Sequence, residues 1–593
     1  MPHDVDINPV SPIVVPPGPF GPAPGDGAAL ANCLARISGL AWAALKARWI
    51  TVSLLVCFLL PGLVGHDPWK PDEAHTFGVV FNIFQGGDWV VPMLAGEPFM
   101  EKPPFFYVVA ALFANMFSPW LDLHDGARMA GGAFIAVGLW FTGLTARRLF
   151  GPGRGTQAML ILAGTLGLVQ HAHEIITDTA LFAGFAIAFY GLSFANRRPI
   201  RAGALIGTGV GIGFLSKGLV EPVMMGTACL ALPAFFRTWR TAYYRKTLAV
   251  AGLAMLPWLL IWPTALYLRA PEEFMVWFWT NNFGRYLGFA NLGADTEPWY
   301  YTHVLPWFTF PAGPLAFWAL AKRRREIMAD RALQMSLTVA AAILLVLTTS
   351  ATARSLYALP LLIPLAVLAA SLTGNASSSV TRWGTRLAAV VFGLLGVFLW
   401  AVWGYGVVHE APPNIQVLLA RLPADFRFEF SWPHVAGALA VTALWLYLHS
   451  TSNRSVSWAH RWAASICLVW GLAMTLLLPW LDYAKSFRSP FDELAVEMGD
   501  SRCISSIGLG EPQRGMLDYY LGIKSARQET HPRDCPFVMV QTNNAAESPD
   551  VSPRDWVMIW QGGRPGEKDE RFSLFQRRED VALHNVSPLL GRK

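Results

Sequence analysis

The chain has 593 residues, 53% hydrophobic and only 15% charged, with 46 Lys and Arg against 40 Asp and Glu. An ordinary soluble domain carries roughly 25% charged residues, and apolar runs of about 18 residues, each long enough to span a membrane, recur along most of the sequence. A polytopic membrane protein follows; soluble multidomain, disordered, collagen-like and disulfide-scaffold classes are excluded, and the modest positive charge belongs to loops rather than to nucleic acid.

Residues 1–45 are rich in Pro, Gly and Ala. They cannot bury a core and are expected to form a disordered cytoplasmic tail. Lys46 and Arg48 precede the first apolar run, which reads as an uncleaved, positive-inside anchor. Basic clusters then punctuate the chain: Arg147-Arg148 with Arg154, Arg197-Arg198 with Arg201, Arg237 through Lys246, Lys322 to Arg325, Arg382 with Arg386, and Arg454 with Arg461. If each is cytoplasmic, an even number of crossings separates successive clusters. Residues 104–117 are apolar but too short for a span, and are expected to lie along the outer surface. Spans are then expected near 46–65, 127–146, 156–172, 179–195, 202–215, 219–236, 247–268, 300–320, 333–351, 355–373, 384–408, 433–450 and 461–482. The expected fold class is an α-helical polytopic membrane protein of about 13 transmembrane helices, residues 46–482, with its N-terminus inside and C-terminus outside.

Three segments lie outside in this topology: a long first loop, 66–126; a second, 269–299; and the tail, 483–593. The tail is more polar and mixes short strand-like runs with helical stretches, as a small extracytoplasmic α/β domain would. Cys503 and Cys535 both fall in it, either as a disulfide, which that compartment permits, or as two buried thiols. Cys57, Cys229 and Cys467 lie in apolar runs, as small hydrophobes do.

Ionisable groups at span ends are costly and tend to be functional. The first loop carries Pro71-Asp72-Glu73, then Gly87-Asp88-Trp89-Val90-Val91-Pro92, then Phe99-Met100-Glu101-Lys102-Pro103-Pro104. In order and spacing these resemble the first extracytoplasmic loop of the GT-C glycosyltransferases, within them the lipid A aminoarabinose transferase and protein-mannosyltransferase-like family (glycosyltransferase families 83 and 39). Ile176-Thr177-Asp178, Leu215-Ser216-Lys217-Gly218, Arg285-Tyr286 with Pro298-Trp299-Tyr300-Tyr301, and Arg354 with Tyr357-Ala358-Leu359-Pro360 continue the resemblance, which covers roughly 46–375.

The resemblance implies a GT-C fold and an inverting transfer of a sugar from a polyprenyl (undecaprenyl) phosphate donor at the periplasmic face of a bacterial inner membrane. The acceptor would be lipid A or another envelope glycolipid, or alternatively a periplasmic protein; membrane lipids are further partners, and nucleic acid is not. Breaking the sugar–phosphate bond leaves an anionic lipid phosphate, for which Lys102, Lys217, Arg285 and Arg354 are the candidate cations. Asp72, Glu101 and Asp178 are the candidate catalytic carboxylates, with Asp72 first choice as base for a hydroxyl acceptor. If the acceptor is itself a phosphate, Asp72 would orient sugar or metal instead. Glu73, His75, Tyr357, Trp299 and Tyr300 are candidate substrate contacts.

Convergent carboxylates also invite a divalent ion, zinc or magnesium. Glu101 and Asp295 are its candidate ligands, although Asn282 and Asp295 stand where the aminoarabinose branch carries histidines, and His75 where it has Arg. His171 and His173 either form a metal cluster with Asp178 or line a polar span end. The rival class is a lipid-linked sugar transporter or flippase, which would place its site at the midplane within repeats; no repeat at half-length is visible.

Overall fold

A computed structural model describes residues 47–290, 292, 297, 299–372, 379–451, 456–530, 532–542 and 551–579. The tail 1–45 and Asp295 lie outside the described residues. The chain divides into Met1–Ile50 and Thr51–Lys593. Of the first, residues 47–50 are described; they open helix α1 (Ala47–Leu59). Every element that builds the site lies in the second.

After α1 come α2 (Asp72–Phe84), a ribbon of two strands (β1 Met93–Leu94, β2 Glu97–Pro98) and α3 (Phe105–Phe117). Helices α4 (Leu123–Phe150), α5 (Arg154–Ala163), α6 (Leu166–His171), α7 (Asp178–Leu192), α8 (Pro199–Lys217), α9 (Val220–Phe235) and α10 (Ala242–Arg269) follow. The next segment is α11 (Pro271–Met275), a π-helix (Val276–Gly284) and α12 (Arg285–Leu287). Then come α13 (Tyr300–Phe308), α14 (Ala312–Lys322), α15 (Arg331–Thr349), a 3₁₀ turn (Ser355–Ala358), α16 (Leu359–Ala370), α17 (Ser379–His409), α18 (Gln416–Leu419), α19 (Trp432–Ser450), α20 (Trp458–Leu476) and α21 (Leu478–Lys485).

Five helices among the described residues are long and apolar enough to cross a membrane, or up to seven if each bent pair is one span. Three expected spans are not straight. The segment expected at 156–172 is interrupted after Ala163, where Thr165 is extended. Across 309–311, α13 and α14 meet at 91°, and α20 and α21 meet at 65°. Pro311 and Pro479 sit at these two bends; neither has an N–H to continue a helical ladder.

Glycine decides the packing of α8. Gly203, Gly207 and Gly211 recur every four residues along the face toward α10. A Cβ at Gly207 would stand 2.5 Å from the carbonyl oxygen of Ala251, and one at Gly203 2.7 Å from that of Thr247. On another face, a Cβ at Gly209 would stand 2.5 Å from the carbonyl oxygen of Gly184 in α7. Small-residue rows of this kind let apolar helices approach backbone to backbone.

Beyond α22 (Arg488–Met498) the chain forms a mixed sheet: β3 (Ile504–Ile507), α23 (Glu511–Leu521), β4 (Ala526–Arg527), β5 (Phe537–Thr542), β6 (Trp556–Gly562) and β7 (Arg571–Arg577). Its order is β4-β3-β5-β7-β6, parallel from β4 to β5 and antiparallel at β7 and β6. Cys503 and Cys535 are joined in a disulfide. The core of the sheet is continuous with the first loop: Phe491, Met539 and Phe572 belong to one apolar cluster with Phe77 and Val80 of α2 and Phe106 of α3.

Overpacking a tight helix contact costs about 1–3 kcal/mol. Gly207→Leu should therefore lower the thermal unfolding midpoint of the detergent-solubilised protein. Gly252→Ala, where an added Cβ meets nothing within 4 Å, should leave it unchanged.

Candidate active site

Proline and acid set the start of α2. Pro71 precedes Asp72 and Glu73, whose charges favour the positive end of the helix. Neighbouring positions on a helix point about 100° apart, and the two carboxylates part company. Asp72 accepts from Arg354, with Nη1 to Oδ1 at 2.9 Å and a second bond from Nη2. Glu73 is 3% exposed and accepts from Arg128 Nε at 2.9 Å and from the Ile175 amide at 3.0 Å. Arg128 is fully buried and also donates to Asp125 at 2.6 Å and to the His66 carbonyl at 3.1 Å. Glu73 is thus a structural ion-pair partner, which corrects its expected role as a substrate contact.

Two more pairs stand beside Asp72. Asp178, the first residue of α7, accepts from Lys217, the last of α8, and Glu101 accepts from Arg285. Lys217 ends its helix because Gly218 follows with φ +72, and a Cβ there would stand 2.2 Å from Asn282 Oδ1. Asn282 accepts from the Leu219 amide at 2.9 Å and donates to the Trp277 carbonyl at 2.8 Å. Asn281 donates to the Met100 carbonyl at 3.1 Å. The π-helix thereby holds both Lys217 and the Glu101-Lys102 turn, and π-helical turns often occur at functional sites. The Lys217 ammonium also lies 4.3 Å over the ring of Tyr357.

Lys102 is buried, yet among the described residues no carboxylate lies within 4.0 Å of its ammonium. Four cations, Lys102, Lys217, Arg285 and Arg354, stand against three carboxylates, Asp72, Glu101 and Asp178, leaving one positive charge. Burial opposes the charge on Lys102, but Glu101, with Asp72 and Asp178 beyond it, holds its pKa above the usual lysine range. Burial likewise opposes ionisation of Glu101, but Lys102 and Arg285 hold it well below the usual carboxyl range. Burial opposes ionisation of Asp72 too, and Arg354 and Lys102 bring it down to about 2.

His75 lies one turn beyond Asp72. Its Nδ1 is 2.8 Å from the Pro71 carbonyl, so it carries the proton and leaves Nε2 as an acceptor, buried and without a partner among the described residues. Burial, reinforced by Lys102, lowers its pKa, keeping it neutral. A cavity of about 360 Å³ joins this cluster to an apolar wall: Glu101, Lys102, Lys217, Arg285 and Tyr357 line it together with Val220, Val223, Met224, Leu287, Val346 and Leu347.

Trp299 and Tyr300 are not part of this cavity. Trp299 is 77% exposed, and Tyr300 lines a separate cavity of about 420 Å³ with Gln170, His303 and Ser355. The turn from Arg354 to Tyr357 contributes to both cavities, Ser355 to one and Tyr357 to the other. His171 pairs with Glu174 at 2.9 Å, while His173 bonds the Phe58 carbonyl at 2.7 Å and stacks on Trp470. They bond separate partners and form no cluster with Asp178.

The C-terminal segment reaches the site. Lys70 donates to Glu570 at 2.8 Å, which also accepts from Arg564 at 2.6 Å and Gln513 at 3.1 Å. Arg488 donates to Asp67 at 2.6 Å, and Trp69 to Asp482 at 2.8 Å. Arg514 of α23 pairs with Glu97 of β2 at 2.8 Å. Glu511 stands close enough for Glu101, Lys102 and Arg285 to act on its charge, behind the larger effect of its own burial, which raises its pKa. Nothing in the spacing of the first-loop motifs marked Glu511.

Of the two candidate ligands of a divalent ion, Glu101 accepts from Arg285 through Oε1, and Asp295 lies outside the described residues. The one group of three His or carboxylate ligand atoms among the described residues is Asp122, His124 and Asp125. It lies elsewhere, with Asp125 bound to Arg128 and His124 to Tyr519.

A helical membrane bundle with paired charges at the mouth of an apolar cavity defines the class. Residues 101–267 match the model of the dolichyl-phosphate-mannose-protein mannosyltransferase family. An undecaprenyl phosphate-alpha-4-amino-4-deoxy-L-arabinose arabinosyl transferase of Pseudomonas fluorescens is 27% identical over 377 residues, 59% of this chain and 61% of that protein. One from Serratia proteamaculans is 26% identical over 463 residues, 73% of this chain and 77% of its own length. The match thus spans about three fifths of the first of these relatives. The crystal structure of ArnT from Cupriavidus metallidurans bound to undecaprenyl phosphate superposes with a TM-score of 0.64 at 18% identity, covering 90% of this chain and 98% of that one. The fold is that of the ArnT-like GT-C proteins, helical and multi-pass. In sequence and fold the chain is a relative of the aminoarabinose transferase and protein-mannosyltransferase-like family.

Removing one partner of a buried ion pair costs about 3–5 kcal/mol. Glu73→Gln should accordingly reduce folded yield and thermal midpoint sharply, whereas Asp72→Asn, whose partner Arg354 is partly exposed, should lower them by less. The Asp72–Arg354 pair has its own pH signature. Its carboxyl is depressed, so its stabilisation is complete above the unfolded value of about 4 and is lost as pH falls through about 2. The gap in thermal midpoint between wild type and Arg354→Met should be open at neutral pH and close over that window; a gap independent of pH would contradict the pairing.

Proposed function

We propose that the chain is an inverting glycosyltransferase. It moves a sugar from undecaprenyl phosphate, or a similar polyprenyl phosphate, to lipid A or another envelope glycolipid. The observation that carries this reading is the cavity that joins an apolar wall to Lys102, Lys217 and Arg285. Its apolar lining suits a prenyl chain, and its excess of positive charge suits the phosphate.

The acceptor oxygen attacks the anomeric carbon from the face opposite the phosphate, and the electron pair of the breaking C–O bond passes to the lipid phosphate. Lys102, Lys217 and Arg285 counter the charge that gathers there, in surroundings where preorganised cations act strongly. A base works best with a pKa near the operating pH, and Asp72, at about 2, is far below it. That favours an acceptor which is already anionic, such as a lipid A phosphate, over a protein hydroxyl. Asp72 with Arg354 then orients the substrates, and the neutral His75 offers its free Nε2 as a hydrogen-bond acceptor for a sugar group. No step is assigned to a metal.

In this reading about 13 crossings place the N-terminus in the cytoplasm of a bacterium and the site and C-terminal sheet in the periplasm. The Cys503–Cys535 disulfide agrees with an oxidising compartment.

Mass spectrometry of envelope lipids tests it. A knockout complemented with wild type should regain a sugar-sized mass on a glycolipid, and Asp72→Asn or Lys102→Met, expressed at equal level, should restore less than about a hundredth of it. Full restoration by both variants would defeat the site assignment. An unchanged lipid profile with altered periplasmic glycoproteins would move the acceptor to protein.

A further inference from the structure

Helices α4 and α8 carry charge at both ends. Asp125 and Lys217 lie at the end that faces the site; Arg147, Arg148 and Arg201 lie at the other. At that far end two guanidinium groups crowd one ring. The carbon of the Arg148 guanidinium is 3.5 Å from the centroid of Phe194, and that of Arg201 is 4.8 Å from it. Arg148 is tied down by a bond to the Ser193 carbonyl at 3.2 Å. Arg197 and Arg198 are close enough for their charges to act on Arg148, and Arg147 is its neighbour in sequence.

All five arginines are exposed, and among the described residues none has a carboxylate within 4.0 Å. Their neighbour Arg323, which lies over Phe150 at the end of α4, shows the contrast: it pairs with both Glu326 and Asp330. The charges of Arg197, Arg198 and Arg201 act unfavourably on that of Arg148, so an anion from outside would be drawn to them. At the edge of a membrane the abundant anion is a lipid headgroup phosphate.

An apolar track leads away from the cluster. Val137, Trp140 and Leu144 precede Arg147 and Arg148 at intervals of three and four residues, which is one face of α4. Trp140 is 61% exposed, and Val137 is exposed as well. We propose that this surface is a binding site for one anionic membrane phospholipid. Its phosphate sits between Arg148 and Arg201 at Phe194, and an acyl chain runs along Leu144, Trp140 and Val137. The site does not depend on the transferase reading, since it lies at the opposite end of the bundle.

Native mass spectrometry of the full chain in neutral detergent tests this, with phosphatidylglycerol and phosphatidylcholine added in turn. Phosphatidylglycerol should be retained about tenfold better, as roughly one or two lipid–arginine pairings would give. Arg148→Gln with Arg201→Gln should abolish most of that preference, while Arg324→Gln with Arg325→Gln, an equal loss of charge elsewhere, should not. If the first pair fails to fold, Arg197→Gln with Arg198→Gln replaces it. Equal retention of the two lipids, equal loss in the control variant, or displacement by millimolar inorganic phosphate would each overturn the proposal.

Discussion

The need to neutralise charge at the edge of an apolar bundle organises this molecule. Asp72, Glu101 and Asp178 come from three separate stretches of chain, and each meets a cation from a further one: Arg354, Arg285 and Lys217. An unpaired ion in such surroundings would cost several kcal/mol. The pairs therefore draw together the start of α2, the Glu101-Lys102 turn, the start of α7, the end of α8, the π-helical segment and the turn before α16. The apolar cavity exists between these elements because their charged ends converge. Lys102 remains over when the pairing is done.

The first loop serves two electrostatic systems through adjacent residues. Asp72 pairs with Arg354, while Glu73 enters a closed network with Arg128 and Asp125. The first can change without unfolding the protein; the second underwrites the position of α2 itself. The C-terminal segment adds a third hold, through Glu570 and Arg488 on the residues leading into α2, and through shared apolar packing on the helix itself. The catalytic candidates are thus mounted on an element braced from the membrane side and from the soluble side.

Much of the site was legible because charge in an apolar sequence is conspicuous. Lys102, Lys217, Arg285, Arg354 and the acidic positions stood out at span ends, and the structure brings them within one cluster. Glu73 was misread because its face of α2 is decided by Arg128, 55 residues away, and adjacency to Asp72 says nothing of that. Trp299 and Tyr300 followed the motif order but sit beyond the turn that separates two cavities. Glu511 was invisible, since it approaches through tertiary folding from the far end of the chain. The bends at 309–311 and Leu477 were missed because hydropathy reads through a proline that geometry does not.

The hold of the C-terminal sheet on Lys70 has a consequence for how the protein is made. The partners are 500 positions apart. At about 5–20 residues per second, a ribosome needs roughly 25–100 s to pass from one to the other. During that interval the segment leading into Asp72 has left the ribosome without the carboxylate that will fasten it. The bundle can assemble while its reactive end is still unfinished, and a nascent chain that stalls before the sheet is complete lacks that final clasp. Maturation of the site is therefore timed by the synthesis of a segment 500 positions downstream of Lys70.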